Sequence, residues 1–171
     1  MDSYHLRLAV EKDLFEILDI VKLVVPLMQA EGNYQWSESY PGETDFINDI
    51  KNRTLWVAVD ASTRILGFCA ITMDQGDDYK KIWDTSQESV VPHRLATHPA
   101  FKRMGVAKSL LSKAEEIAKE KALKSIRIDT NQKNKATNTL FPQLGYHYVG
   151  DIGLTGREGL FSCYEKNMTD I

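Results

Sequence analysis

Residues 98–111 read HPAFKRMGVAKSLL, and the fold turns on how this stretch is understood. It leads from the apolar, strand-like segment SVVPHRLATHP (89–99) into an amphipathic helix. Ala107, Leu110, Leu111, Ala114, Ile117 and Ala118 recur at helical spacing and form one apolar stripe, with Lys and Glu residues opposite. Lys102, Arg103 and Gly105 sit at the junction. A helix begins with unpaired backbone N–H groups and the positive end of its dipole, so cations there are locally unfavourable without an anionic partner. Gly105 removes a side chain where a phosphate would approach, and Ala107 keeps the next position small. Taken alone, these residues fit a phosphate cradle and a solvated basic turn equally well.

Working outward, YHLRLAV (4–10) alternates as a half-buried strand does. Asp13 reads as the cap of a helix carrying Leu14, Ile17, Leu18, Val21, Val24 and Val25, and Thr44 as the cap of a shorter one. TLWVAVD (54–60) and ILGFCAITM (65–73) are nearly continuous in apolar residues and predict strands covered on both faces, joined by a hairpin loop. DQGDDYKKIWDTSQE (74–88) reads as an acidic surface loop. In the strand that follows, Pro92 marks a bulge or an edge. SIRIDT (125–130) alternates cleanly, NKATNTLFPQLGY (134–146) is a short helix stopped by Gly145, and two strands close the chain. The order is strand, two helices, three strands, helix, strand, helix, two strands, a mixed α/β domain spanning 1–171.

Composition narrows the function. A chain of 171 residues with a net charge of −3 lacks the broad cationic surface that nucleic acid requires. No apolar run approaches the roughly 20 residues of a membrane span, which predicts a cytoplasmic protein without membrane or nucleic-acid partners. Cys69 and Cys163 lie in apolar, strand-like surroundings and read as reduced core thiols. No metal-ligand spacing, P-loop, dinucleotide fingerprint or serine elbow is present.

HRLATHPAFKRMGVAKSLL (93–111), followed by NKATNTLFPQLGY, resembles the GCN5-related N-acetyltransferase (GNAT) superfamily, with bacterial, small single-domain members as the nearest likeness. The pyrophosphate motif of that superfamily, Q/R-x-x-G-x-G/A, matches Lys102-Arg103-Met104-Gly105-Val106-Ala107 except that Lys fills the first place. The resemblance implies the GNAT fold: a central, mostly antiparallel sheet of about seven strands, splayed in the middle and flanked by four helices. It further implies acetyl-CoA as donor, with no metal. Leu95, Ala96 and Thr97 would pair with the pantetheine arm, and residues 102 to 108, ending at Lys108, would hold the pyrophosphate. Asn134 and Phe141 would contact the cofactor from the second motif.

The implied reaction is attack of an amine, on a small molecule or a peptide, on the thioester. Many superfamily members carry a Tyr acid where this chain has Phe141 in LFPQLGY. Water, Tyr146, Tyr148 or Tyr164 could supply that proton, and we take Tyr164 as the candidate. His93 is the base candidate by position, sharing strand parity with Leu95 and Thr97, against the plainer reading of a structural His beside Arg94. The loop between the first two helices supplies Tyr34, Gln35, Trp36 and Tyr40 to the acceptor site, since aromatic faces attract amines. The alternative is a CoA-binding sensor that has lost catalysis. Monomer and homodimer both stay open.

Overall fold

The computed structural model describes residues 4–168. Strand β1 (Tyr4–Leu8) leads to helices α1 (Leu14–Ala30) and α2 (Glu43–Lys51), then strands β2 (Leu55–Asp60), β3 (Ile65–Thr72) and β4 (Val91–Thr97). Helix α3 (Val106–Glu120), strand β5 (Ser125–Asn131), helix α4 (Lys135–Gln143) and strands β6 (His147–Gly153) and β7 (Leu160–Asn167) complete the chain. This is the element order that hydrophobic periodicity predicts.

The seven strands form two antiparallel sheets, β1-β2-β3-β4 and β5-β7-β6. They meet at one parallel bridge, Val90 with Ile126. There Val90 N–H donates to Ser125 O at 3.1 Å and Arg127 N–H to Val90 O at 2.9 Å. The buried hydroxyls of Ser89 and Ser125 lie 2.6 Å apart beside it. Beyond this vertex β4 and β5 part, as the splayed sheet requires.

The apolar stripe of α3 buries Leu110, Leu111, Ala114 and Ala118 against Leu66, Cys69, Ile126, Ile128 and Phe141. On the opposite face, Ile17, Ile20, Val21 and Phe46 from α1 and α2 cover Val57, Val59, Phe68 and Ala70. Each fully buried aliphatic side chain of this kind contributes about 1.5–3 kcal/mol relative to exposure. Both cysteines are buried and unpaired, and burial pushes the Cys69 thiol up to about 12.

Two local expectations are corrected. Asp13 stands at the N-cap of α1, but its carboxylate accepts from Arg7 at 2.6 and 2.9 Å and from Val10 N–H at 2.8 Å rather than from the helix. Gly42, not Thr44, caps α2, with the Asp45 carboxylate reaching back to its N–H at 2.8 Å. The 74–88 segment lies at the surface, as its composition predicts, and is tethered. Buried Arg127 donates to Gln75, to Asp84 O and to Gln87 O, while Asp77 and Asp78 pair with Lys80 and Lys81. No helix among the described residues is long and apolar enough to cross a membrane.

Gly67 on β3 lies under the turn where β4 hands over to α3. A Cβ at this position would stand 2.6 Å from Ala96 O and 2.7 Å from Val106 Cγ1. Gly67→Ala therefore forces β4 and the start of α3 outward. Overpacking of this kind costs about 1–3 kcal/mol, and thermal denaturation should show a Tm lowered by several degrees.

Candidate functional site

A cleft of about 1680 Å3 follows the gap between β4 and β5 and continues over the start of α3. At that end Gly105, the residue before α3, has φ +80°, a left-handed conformation that suits glycine. Arg103 is also left-handed, with φ 67°. Such alternation turns successive N–H groups toward one point, a concavity that binds anions. The first ladder bond of α3 runs from Ser109 N–H to Gly105 O. The N–H groups of Val106, Ala107 and Lys108 have no partner among the described residues, and no acid stands in the first turn. The Tyr4 hydroxyl, 2.7 Å from Ser109 Oγ, holds the turn from behind. The donor set of Gly105 to Lys108, with Lys102 and Arg103 alongside, fits the pyrophosphate of CoA.

Along β4 the register breaks. Ala70 faces His93 and Phe68 faces Ala96, so Arg94 and Leu95 have no partners across β3. Arg94 takes φ 50° as the extra residue of this bulge. Parity between His93 and Leu95 is therefore lost, which corrects the expectation that both point one way. His93 is opposite Ala70 on the α1–α2 face, whereas Leu95 packs with the α3 cluster. The bulge divides the strand between the two sides of the cleft.

Opposite β4, strand β5 presents Asp129, whose Oδ1 accepts from the Tyr79 hydroxyl at 2.7 Å. Burial raises the Asp129 carboxyl above the usual carboxylate range, outweighing the Tyr79 bond and the charges of His93 and Arg157. Burial likewise lowers His93 below its ordinary value, despite the nearby Asp129 charge. The pair thus holds a neutral imidazole near a carboxyl of raised proton affinity, the arrangement that suits proton transfer near neutral pH. Arg94 is neutralised by Asp49 through bonds of 2.8 and 2.7 Å. Gln35 also lines the cleft, and its Oε1 accepts from Thr130 Oγ1 at 3.2 Å and Asn131 N–H at 3.0 Å.

Among the cofactor candidates, Leu95, Ala96, Thr97, Lys102, Arg103, Gly105, Val106, Ala107, Lys108, Asn134 and Phe141 line the cleft. Met104 does not; it is exposed, with its carbonyl 3.5 Å from the Tyr4 hydroxyl. Asn134 caps α4, its side chain accepting from Thr137 N–H. His93, Gln35, Trp36 and Tyr40 line the same cleft, although Trp36 is a buried core ring stacked on Phe68. Tyr34 is 55% exposed and lies off the cleft. Tyr164 is also off it: its hydroxyl donates to Asn138 Oδ1 at 2.8 Å and its ring packs on Phe141. Of the other acid candidates, Tyr146 is buried against Phe141 and Tyr148 is exposed, and neither lines the cleft. Sequence reasoning missed Asp129, Tyr79 and Arg157; the outward phase of Asp129 in SIRIDT was the one available signal.

Residues 21–146 match the sequence profile of the acetyltransferase (GNAT) family. No curated protein matches the chain. Among solved structures, a GNAT-family acetyltransferase of Streptococcus agalactiae is similar in fold, with TM-score 0.81, 23% identity, and coverage of 96% of this chain and 95% of that one. A GNAT-family acetyltransferase of Listeria monocytogenes gives TM-score 0.74 at 20% identity, covering 96% and 94%. The PaiA N-acetyltransferase of Thermoplasma acidophilum, solved in complex with coenzyme A, gives 0.72 at 17% identity, covering 96% and 99%. The profile match runs from within α1 to just past α4 and takes in both the α3 cradle and the splayed strands, so the chain belongs to the acetyltransferase (GNAT) family.

Proposed function

We propose that the protein is an N-acetyltransferase, moving the acetyl group of acetyl-CoA to a primary amine of a small molecule or peptide. The observation that carries this reading is one cleft, lined by both His93 and Asp129, that runs from the gap between β4 and β5 to the α3 cradle. Acetyl-CoA supplies an activated acyl group on a thiol leaving group. Gly105 to Lys108 hold the diphosphate through backbone N–H groups, and Lys102 and Arg103 add charge. The β4 backbone around Leu95 to Thr97, turned out of the β3 ladder at the bulge, orients the donor arm and offers N–H to the developing oxyanion.

An arriving ammonium must lose a proton before it can attack. Neutral His93 and the Asp129 carboxylate stand where that proton can be taken, directly or through water. None of Tyr146, Tyr148 and Tyr164 lines the cleft: Phe141 occupies its wall and Tyr164 is engaged by Asn138. A thiol of ordinary pKa, about 8.5, leaves without a dedicated acid, and water can return its proton.

His93→Gln should lower kcat/KM about tenfold, less than a full base deletion, because Asp129 remains as a second acceptor. It should also shift the acid limb of the pH profile, since Asp129 is then the remaining acceptor; in the native protein the His93 limb lies below the ordinary His value because burial favours the neutral ring. An unchanged limb would take His93 out of the reaction. Phe141 is the one feature favouring a CoA-binding sensor. Thiol release from acetyl-CoA over a panel of polyamines, amino acids, aminoglycosides and peptides decides between them, and silence throughout would leave the sensor.

A further inference from the structure

The acceptor end of the cleft contains two arginines in different electrostatic states. Arg94 is forked onto Asp49. Arg157, in the β6–β7 connection, has no carboxylate within ion-pair distance among the described residues. Its guanidinium carbon lies 3.6 Å from the centroid of the Tyr40 ring, and one Nη1–H donates to Gln35 O at 3.0 Å. A guanidinium has five N–H donors in a rigid plane, so stacking on Tyr40 and the Gln35 bond fix its orientation while leaving donors free. Arg157 is half-buried and lines the same cleft as Asp129. Such a held, half-desolvated cation is matched to a planar anion, above all a carboxylate.

The cleft thus presents a fixed cation on one wall and, on β5, a half-buried acid bonded by Tyr79. Simple amines and polyamines carry only positive charge and offer no partner to Arg157. A molecule with an amine and an anionic group answers both walls at once. Resting on the acetyltransferase reading for its chemistry, we infer that the acceptor is a free amino acid or a close analogue, its amine directed to His93 and Asp129 and its carboxylate bound by Arg157.

Two measurements test this. Thiol release is followed with the standard L-amino acids, each as free acid and as its α-amide, for the native protein and for Arg157→Gln and Arg157→Lys. The best free acid should exceed its own amide in kcat/KM by about tenfold or more, the usual worth of a charge-assisted pair. Arg157→Gln should collapse that ratio through a raised KM, and Arg157→Lys should restore part of it. Amides or polyamines turned over as well as free acids would overturn the inference while leaving the acetyltransferase standing. Titration of the same compounds into the CoA-saturated protein is the second measurement. Carboxylate-dependent binding without turnover of any amine would leave the carboxylate site standing and remove the acetyltransferase reading; neither binding nor turnover of any free acid would overturn the inference, and silence of every other amine as well would overturn both.

Discussion

Gly105→Glu abolishes CoA binding and leaves a folded protein: this is the largest single effect expected from the site. Two physical terms act together. Glutamate at φ +80° suffers the left-handed penalty of about 1–2 kcal/mol, which the fold can absorb because the added Cβ meets only the Tyr4 hydroxyl, at 3.6 Å. Its carboxylate then adds negative charge beside the unpaired N–H groups of Val106 to Lys108, competing for them and repelling a diphosphate. Losing several charge-assisted hydrogen bonds at once amounts to a weakening of at least about 100-fold. Calorimetric titration of CoA measures it, with circular dichroism as the check on folding. Gly105→Ala separates strain from charge, since it carries the first alone and should weaken CoA far less. Unchanged CoA affinity in Gly105→Glu would remove the cradle from the α3 turn.

Asp129→Asn should lower kcat by about 100-fold or more, within the range of a lost general base, and at neutral pH it should make the protein more stable. Unfolded Asp has a pKa near 3.9, and burial raises it in the folded chain. Above 3.9 the folded state therefore holds the proton longer than the unfolded state. Stability contributed by the protonated form is full at low pH and is lost as pH rises through the folded value. Asparagine carries no such penalty, and its Oδ1 can still accept from Tyr79. Tm should therefore rise in Asp129→Asn at pH 7 to 8, and the gain should vanish near pH 3. A group that destabilises the fold at working pH is expected of a functional acid. Full activity in Asp129→Asn, or a Tm that falls at neutral pH, would show Asp129 to be structural.

Much of this architecture is legible in single segments. The α3 stripe, the near-continuous apolar runs of β2 and β3, and Asn134 before α4 are local signals, and each element stands where its periodicity predicts. The donor half of the site is local too, since Lys102 to Lys108 are consecutive and a helix start needs no distant partner. The acceptor half is not. Alternation in β4 assigns His93 and Leu95 to one face only while the strand is regular, and nothing in VPHRLAT announces that Arg94 turns left-handed. Tyr79 reads as part of a polar loop until Arg127 gathers that loop beside β5. Asp129 is one more outward residue of SIRIDT until β4 splays away and brings His93 opposite. Tyr34 and Tyr164 were drawn in by residue type, and tertiary packing assigned one to solvent and the other to Asn138.

The single bridge at Val90 and Ile126 has a consequence for how the cleft stays open. Two strands running alongside one another with free backbone groups ought to zip together, and a bare strand edge is normally an invitation to pairing. No bulky wedge is required to prevent this. Two residues beyond the vertex Pro92 has no N–H to offer, and two residues further Arg94 is coiled the wrong way for a ladder. Irregularity in β4 thus does the work of a spacer, and a tidier strand would be a closed one.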